Sequence, residues 1–179
     1  KPLDIINIWK DKGILNEDII KLILKPLLEA KELDENITLK EFFDYNSIDF
    51  HFYTTNINER VPIKIDISYK THPHLKLYNA VAMSMAIPII FSPICDNSAC
   101  YIDGGLLNNF PLDDCINDNN NIEEILAIRI ISKEVDRIID KDTLLPIYLF
   151  NLIEGMRRLI STENIQLQIP NIINCKIES

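Results

Sequence analysis

Apolar positions recur along this chain with two periods, and the switches between them mark out its elements. Residues 3–10 carry a short apolar helical pattern whose Trp9 reads as a core residue. Asn16 has the character of a helix N-cap. Glu17 and Asp18 follow it in the electropositive first turn, and Ile19, Ile20, Ile23, Leu24, Leu27 and Leu28 supply apolar surface. Pro26 is expected to bend or split that helix, because it lacks an N–H and its ring crowds the preceding turn. Thr38 and Glu41 have the spacing of a capping box and Ile37 and Phe42 that of a hydrophobic staple, so a further helix is predicted from there.

The period then changes to two. Ile48, Phe50 and Phe52 alternate with Asp49 and His51, and Val61, Ile63, Ile65 and Ile67 alternate with Lys64, Asp66 and Ser68. The polar link 54–60 between them predicts a turn joining an antiparallel pair. A helix of small and flexible residues is predicted at 75–87, stopped by Pro88, and an apolar strand-like piece runs on to Pro93. A strand at 99–103 follows. Pro111 can open a short helix with Asp113 and Asp114 in its first turn, and 118–121 reads as a loop. A strand at 124–131, a helix at 142–161 with Pro146 in its first turns, and a strand at 166–177 interrupted at Pro170 complete the pattern. Strands separated by helices predict α/β layering, and 179 residues without repeat or low-complexity linker predict one domain with a sizeable core.

Composition narrows the partners. A net charge of −9 argues against nucleic acid, which is bound through a basic footprint, and against electrostatic adsorption to anionic lipid. Contact with a bilayer would then fall to apolar residues or a locally basic patch. No apolar run reaches the roughly 18 residues of a spanning helix. Cys95, Cys100, Cys115 and Cys175 form no CxxC pair and have no histidine at ligand spacing, so no metal site is expected. Cys95 and Cys100 could face each other across a hairpin, as thiols in a reducing cytosol. His51 reads as a solvated face residue, and His72 and His74 as loop polarity around Pro73.

Chemistry concentrates at Tyr101 to Pro111, where an apolar strand delivers Asp103 to a turn opened by Gly104 and Gly105. Two glycines there suggest positive φ or close backbone approach, although Asp-Gly is also a common surface turn. Ser84, Ala86, Pro88, Phe91 and Pro93, followed by Asp103-Gly104-Gly105 and then Asn109 and Pro111, give a Ser-x-Ala-x-Pro-x-x-Phe-x-Pro stretch, an Asp-Gly-Gly turn and an Asn-x-Pro at a specific combined spacing. The arrangement resembles the C-terminal part of the patatin-like phospholipase domain.

The resemblance implies a three-layer α/β/α sandwich with helices over a mostly parallel sheet and the site at the strand ends. It also implies a serine acyl hydrolase in which Asp103 is the general base of a Ser-Asp dyad. Gly104 and Gly105 would admit serine and acyl chain, Asn108 and Asn109 would orient the turn through backbone hydrogen bonds, and Ser84 would pack beside it. The family's nucleophile sits in a Gly-x-Ser-x-Gly elbow, and a glycine-rich loop supplies its oxyanion hole. None of Gly13, Gly104, Gly105 and Gly155 brackets a serine, so residues 1–179 are expected to be the C-terminal portion of a single such domain. The upstream half would then be a partner, and this chain would be inactive by itself. The implied partners are a phospholipid or neutral lipid and, transiently, a lipid surface. No cofactor is implied, and the expected location is the cytoplasm or the periphery of a membrane. The alternative is a non-catalytic interaction protein that keeps the scaffold without the nucleophile.

Overall fold

The computed structural model of the chain describes residues 10–96, 99–118, 121–132, 139–162 and 169–177, so Trp9 and most of the helix expected at 3–10 lie outside them. Their fold is mixed α/β, as expected. Two compact units divide the chain, Lys1–Leu107 and Asn108–Ser179.

In the first unit β1 (Gly13–Leu15) leads into α1 (Asp18–Glu29). The helix starts just beyond Asn16, whose Oδ1 accepts from the Asp18 N–H at 3.3 Å. Pro26 does not split it. That proline is exposed, so the turn that loses a hydrogen bond is the outer one, and the Ala30 N–H still reaches the Pro26 carbonyl at 3.1 Å. Helix α2 (Leu39–Asn46) carries the anticipated capping box: Thr38 Oγ1 accepts from the Glu41 N–H at 3.2 Å and the Glu41 carboxylate accepts from the Thr38 N–H at 2.8 Å. Buried Ile37 and flanking Phe42 belong to the same core cluster, which also holds Leu28, Leu39, Ile67, Leu77, Ala80 and Met83.

The antiparallel pair exists, but its first strand is displaced along the chain. β2 is Phe52–Asn56, paired with β3 (Ile63–Ile67) so that Phe52 faces Ile67 and Asn56 faces Ile63. Thr54 and Thr55, expected in the turn, are therefore buried strand residues, while Ile48 is left 54% exposed outside the sheet. The turn falls after Asn56, whose Oδ1 accepts from the Asn58 N–H at 2.9 Å. His51 is half-buried rather than solvated, with Nδ1 2.9 Å from an Asp66 carboxylate oxygen.

Helix α3 (Leu77–Ser84) ends four residues before Pro88, and the chain reverses through Ile89, whose φ of 77° is unusual for a branched residue. β4 (Ile89–Phe91) pairs in parallel with β1. β5 (Ile94–Cys95) and β6 (Cys100–Asp103) complete a four-stranded sheet of order β3-β2-β6-β5. This sheet is antiparallel throughout, in contrast to the mostly parallel sheet implied by the resemblance, because neighbouring strands are joined as hairpins or returned by α3.

The second unit contains α4 (Leu112–Asp118), one residue beyond Pro111, and the parallel pair β7 (Ala127–Ser132) and β8 (Ile172–Ile177). Helix α5 (Leu145–Thr162) has Pro146 in its first turn. Leu112, Ile125, Ala127 and Ile169 form the core of this unit. Part of the strand expected at 166–177 lies outside the described residues.

The capping box gives a test of the local energetics. The Thr38 N–H, followed by its hydroxyl, holds the Glu41 carboxyl below the usual glutamate range. A lowered folded value means that this contribution is present at neutral pH and is lost as pH falls through that lowered value. Thr38→Ala should cost about 1 kcal/mol at pH 7 in denaturant unfolding. The gap to wild type should narrow below about pH 4.3, the ordinary glutamate value, as Glu41 protonates and its bond from the Thr38 hydroxyl is lost; a pH-independent gap would remove that hydroxyl–carboxylate bond from the cap.

Candidate active site

Strand β6 is an inner strand, bonded to β2 on one side and to β5 on the other. Thr54, Thr55 and Asn56 face Asp103, Ile102 and Tyr101, while Ile94 and Cys95 face Tyr101 and Cys100. Cys95 and Cys100, opposite each other at a Cα separation of 4.0 Å, are joined as a disulfide. Burial, with the Asp96 charge and hydrogen bond adding to it, pushes the Tyr101 phenol up. Tyr101 is therefore uncharged at neutral pH.

At Asp103 the register with Thr54 still holds, but the N–H on the other side of the strand finds a partner outside the sheet. The Asp103 N–H donates to the Ala86 carbonyl at 3.0 Å, just beyond the C-terminus of α3. This bond joins two segments of the motif, Ser84-x-Ala86-x-Pro88 and Asp103-Gly104-Gly105. Ala86 is 1% exposed, and a larger residue there would push the carbonyl away from the strand.

Beyond Asp103 the chain enters a 3-10 turn, Gly104–Leu106, capped by the carboxylate itself: Asp103 Oδ1 accepts from the Gly105 N–H at 2.8 Å. Gly104 is buried, and an added Cβ would lie 2.4 Å from the Tyr53 carbonyl oxygen and 2.5 Å from its carbon. Among the described residues no glycine has positive φ, so of the two reasons for a glycine here it is close backbone approach that applies. The half-buried Asp103 carboxyl is thus oriented by its own turn. Such a group can accept a proton or a hydrogen bond in a fixed direction.

Ser84 stands half-buried in the last turn of α3, between Met83 and Ala86, whose carbonyls bond to Thr54 and Asp103. Asn109 is exposed and belongs to the second unit, where neighbouring Asn108 turns its Oδ1 to the Phe110 N–H at 3.1 Å. Gly105 contributes its backbone donor. The residues that sequence reasoning missed are Thr54 and Thr55. Their hydroxyls reach the backbone of Met83, Ile102 and Asp103 at 2.7–3.1 Å. The available signal was two adjacent β-branched residues, which suit a strand, in a link otherwise read as a turn.

Residues 3–116 match the family described as patatin-like phospholipase. Over 109 residues, 60% of the chain, the sequence is 37% identical to a protein described as probable lipid hydrolase 463L of Invertebrate iridescent virus 6. The matched part amounts to 37% of that relative, so the chain spans well under two thirds of its length.

The close approach at Gly104 predicts an asymmetric pair of substitutions. Gly104→Ala must displace β2 or the turn, because every near atom is backbone, and should lower stability by at least about 2 kcal/mol. Gly155→Ala, in exposed α5 with nothing within 4 Å of the new methyl, should raise it by about 0.5–1 kcal/mol. Denaturant midpoints of the two variants measure both, and equal tolerance would refute the close contact.

Proposed function

Because the chain belongs to the patatin-like phospholipase family, we propose that it is the Asp-bearing part of a lipid acyl hydrolase, with Asp103 as general base. The observation that carries this reading is the placement of Asp103: a carboxylate at a strand end whose Oδ1 accepts from the Gly105 N–H. A serine hydroxyl is a weak nucleophile until a positioned base takes its proton, and an anchored carboxylate meets the requirement of position.

In the proposed reaction the serine, supplied by a segment upstream of Lys1, attacks the acyl carbonyl while its proton passes to Asp103. The tetrahedral intermediate collapses, the alcohol of the ester leaves with a proton, and an acyl-serine remains. Water, deprotonated by the same carboxylate, then releases the fatty acid and restores the hydroxyl. No cofactor enters these steps. Substrates are fatty-acyl esters of phospholipids or neutral lipids, a class supported by the family and by the description of the viral relative as a lipid hydrolase. With a net charge of −9, approach to a lipid surface would rest on apolar side chains rather than on overall charge.

The test separates the two members of the dyad. The 179-residue chain should neither react with a serine-directed fluorophosphonate nor release fatty acid, and joining the upstream segment should bring both activities. In that longer protein Asp103→Asn should lower turnover by at least about 10²–10⁴-fold, the usual worth of general-base assistance, with far less effect on stability. Near-wild-type hydrolysis by the Asn variant would remove Asp103 from the mechanism. A longer protein that folds and binds lipid without cleaving it would make the chain part of a non-catalytic scaffold.

A further inference from the structure

Thr54 and Thr55 are 0% and 1% exposed, and hydroxyls enclosed to that degree are destabilising unless they are hydrogen-bonded. Both are bonded, and each acceptor is a backbone carbonyl. The Thr54 hydroxyl lies 2.7 Å from the Ile102 carbonyl oxygen and 3.1 Å from that of Met83, and the Thr55 hydroxyl lies 3.1 Å from that of Asp103. Ile102 and Asp103 contribute the carbonyls of the two peptides that flank the Asp103 Cα. The amide hydrogen of that residue goes to Ala86. Met83 is in the last turn of α3, where carbonyls lack helical partners, so Thr54 also ties β6 to the end of that helix.

Valine would fill nearly the same volume and suits a strand as well, so packing alone does not call for threonine at either position. What valine cannot do is donate. A Cα whose two flanking peptides and N–H are all fixed has a fixed direction for its Cα–Cβ bond. We propose that Thr54 and Thr55 are positioning residues for the Asp103 carboxylate, acting through the peptides on either side of it. The inference rests on the general-base reading of Asp103.

The test has two arms. In the protein extended to include the nucleophile, hydrolysis of a p-nitrophenyl fatty-acyl ester should show kcat reduced on the order of 10²-fold by Thr54→Val, the effect of a small misplacement, with KM unchanged. Thr54→Ser, which keeps the donor, should recover most of the wild-type rate. In the 179-residue chain, hydrogen exchange should speed up at the Asp103 amide in Thr54→Val while the β2–β3 amides keep their protection. Should that variant fail to fold, Thr55→Val, which removes one weaker bond, carries both arms.

Wild-type kcat in both valine variants would overturn the proposal. So would a uniform rise in exchange across the first unit with equal losses in the serine and valine variants, since the threonines would then serve general stability. If the extended wild type hydrolyses no ester, the general-base reading fails and this proposal with it. That case is distinguished by the absence of turnover in every form.

Discussion

Everything at the candidate site depends on how closely the start of the Asp-Gly-Gly turn approaches β2. Gly104 packs its Cα against the Tyr53 carbonyl with no room for a Cβ, and this lets β6 keep its register with β2 to its last residue. The same closeness brings the Thr54 and Thr55 hydroxyls within hydrogen-bond reach of the β6 backbone. A side chain at position 104 would force the strands apart and lengthen those bonds together. The carboxylate orientation is therefore a property of the strand pair as well as of the turn.

The second support comes from α3. Helix ends leave carbonyls without partners, and buried ones must be satisfied from elsewhere. Here Ala86 receives the Asp103 N–H, and Met83 shares with Ile102 the one proton of the Thr54 hydroxyl, so β2 and β6 both meet the exit of the helix. This gives a physical reason for the spacing of the motif. The proline at 88 enforces an end to the helix, the small residue at 86 lets its carbonyl approach the sheet, and the aspartate is the residue whose amide meets it.

Much of this was legible in the sequence, because the relevant signals are local. The capping box at Thr38 and Glu41, the helix stop before Pro88, the strand ending at Asp103 and the long helix carrying Pro146 follow from residue types at fixed short spacings. The register of β2 was not. Period-two alternation at 48–52 is genuine, but Phe50 packs its ring 5.4 Å from that of Phe42 outside the sheet, and the strand is made by residues whose polarity suggested a turn. A threonine is satisfied in a strand interior only when carbonyls lie opposite, and that depends on β6, almost fifty residues away. Pro26 leaves the helix whole for a related reason, since the effect of a proline depends on which side of the helix loses the bond.

The claim that most needs testing is that the Asp103 N–H, on the side of β6 away from β2, is held by the exit of α3. Its direct measurement is the scalar coupling transmitted through hydrogen bonds in an isotopically labelled chain, read between the Asp103 amide nitrogen and the carbonyl carbons around it. The account predicts a resolved coupling to the Ala86 carbonyl carbon. Loss of that coupling, with the Asp103 amide exchanging freely with solvent, would contradict the account.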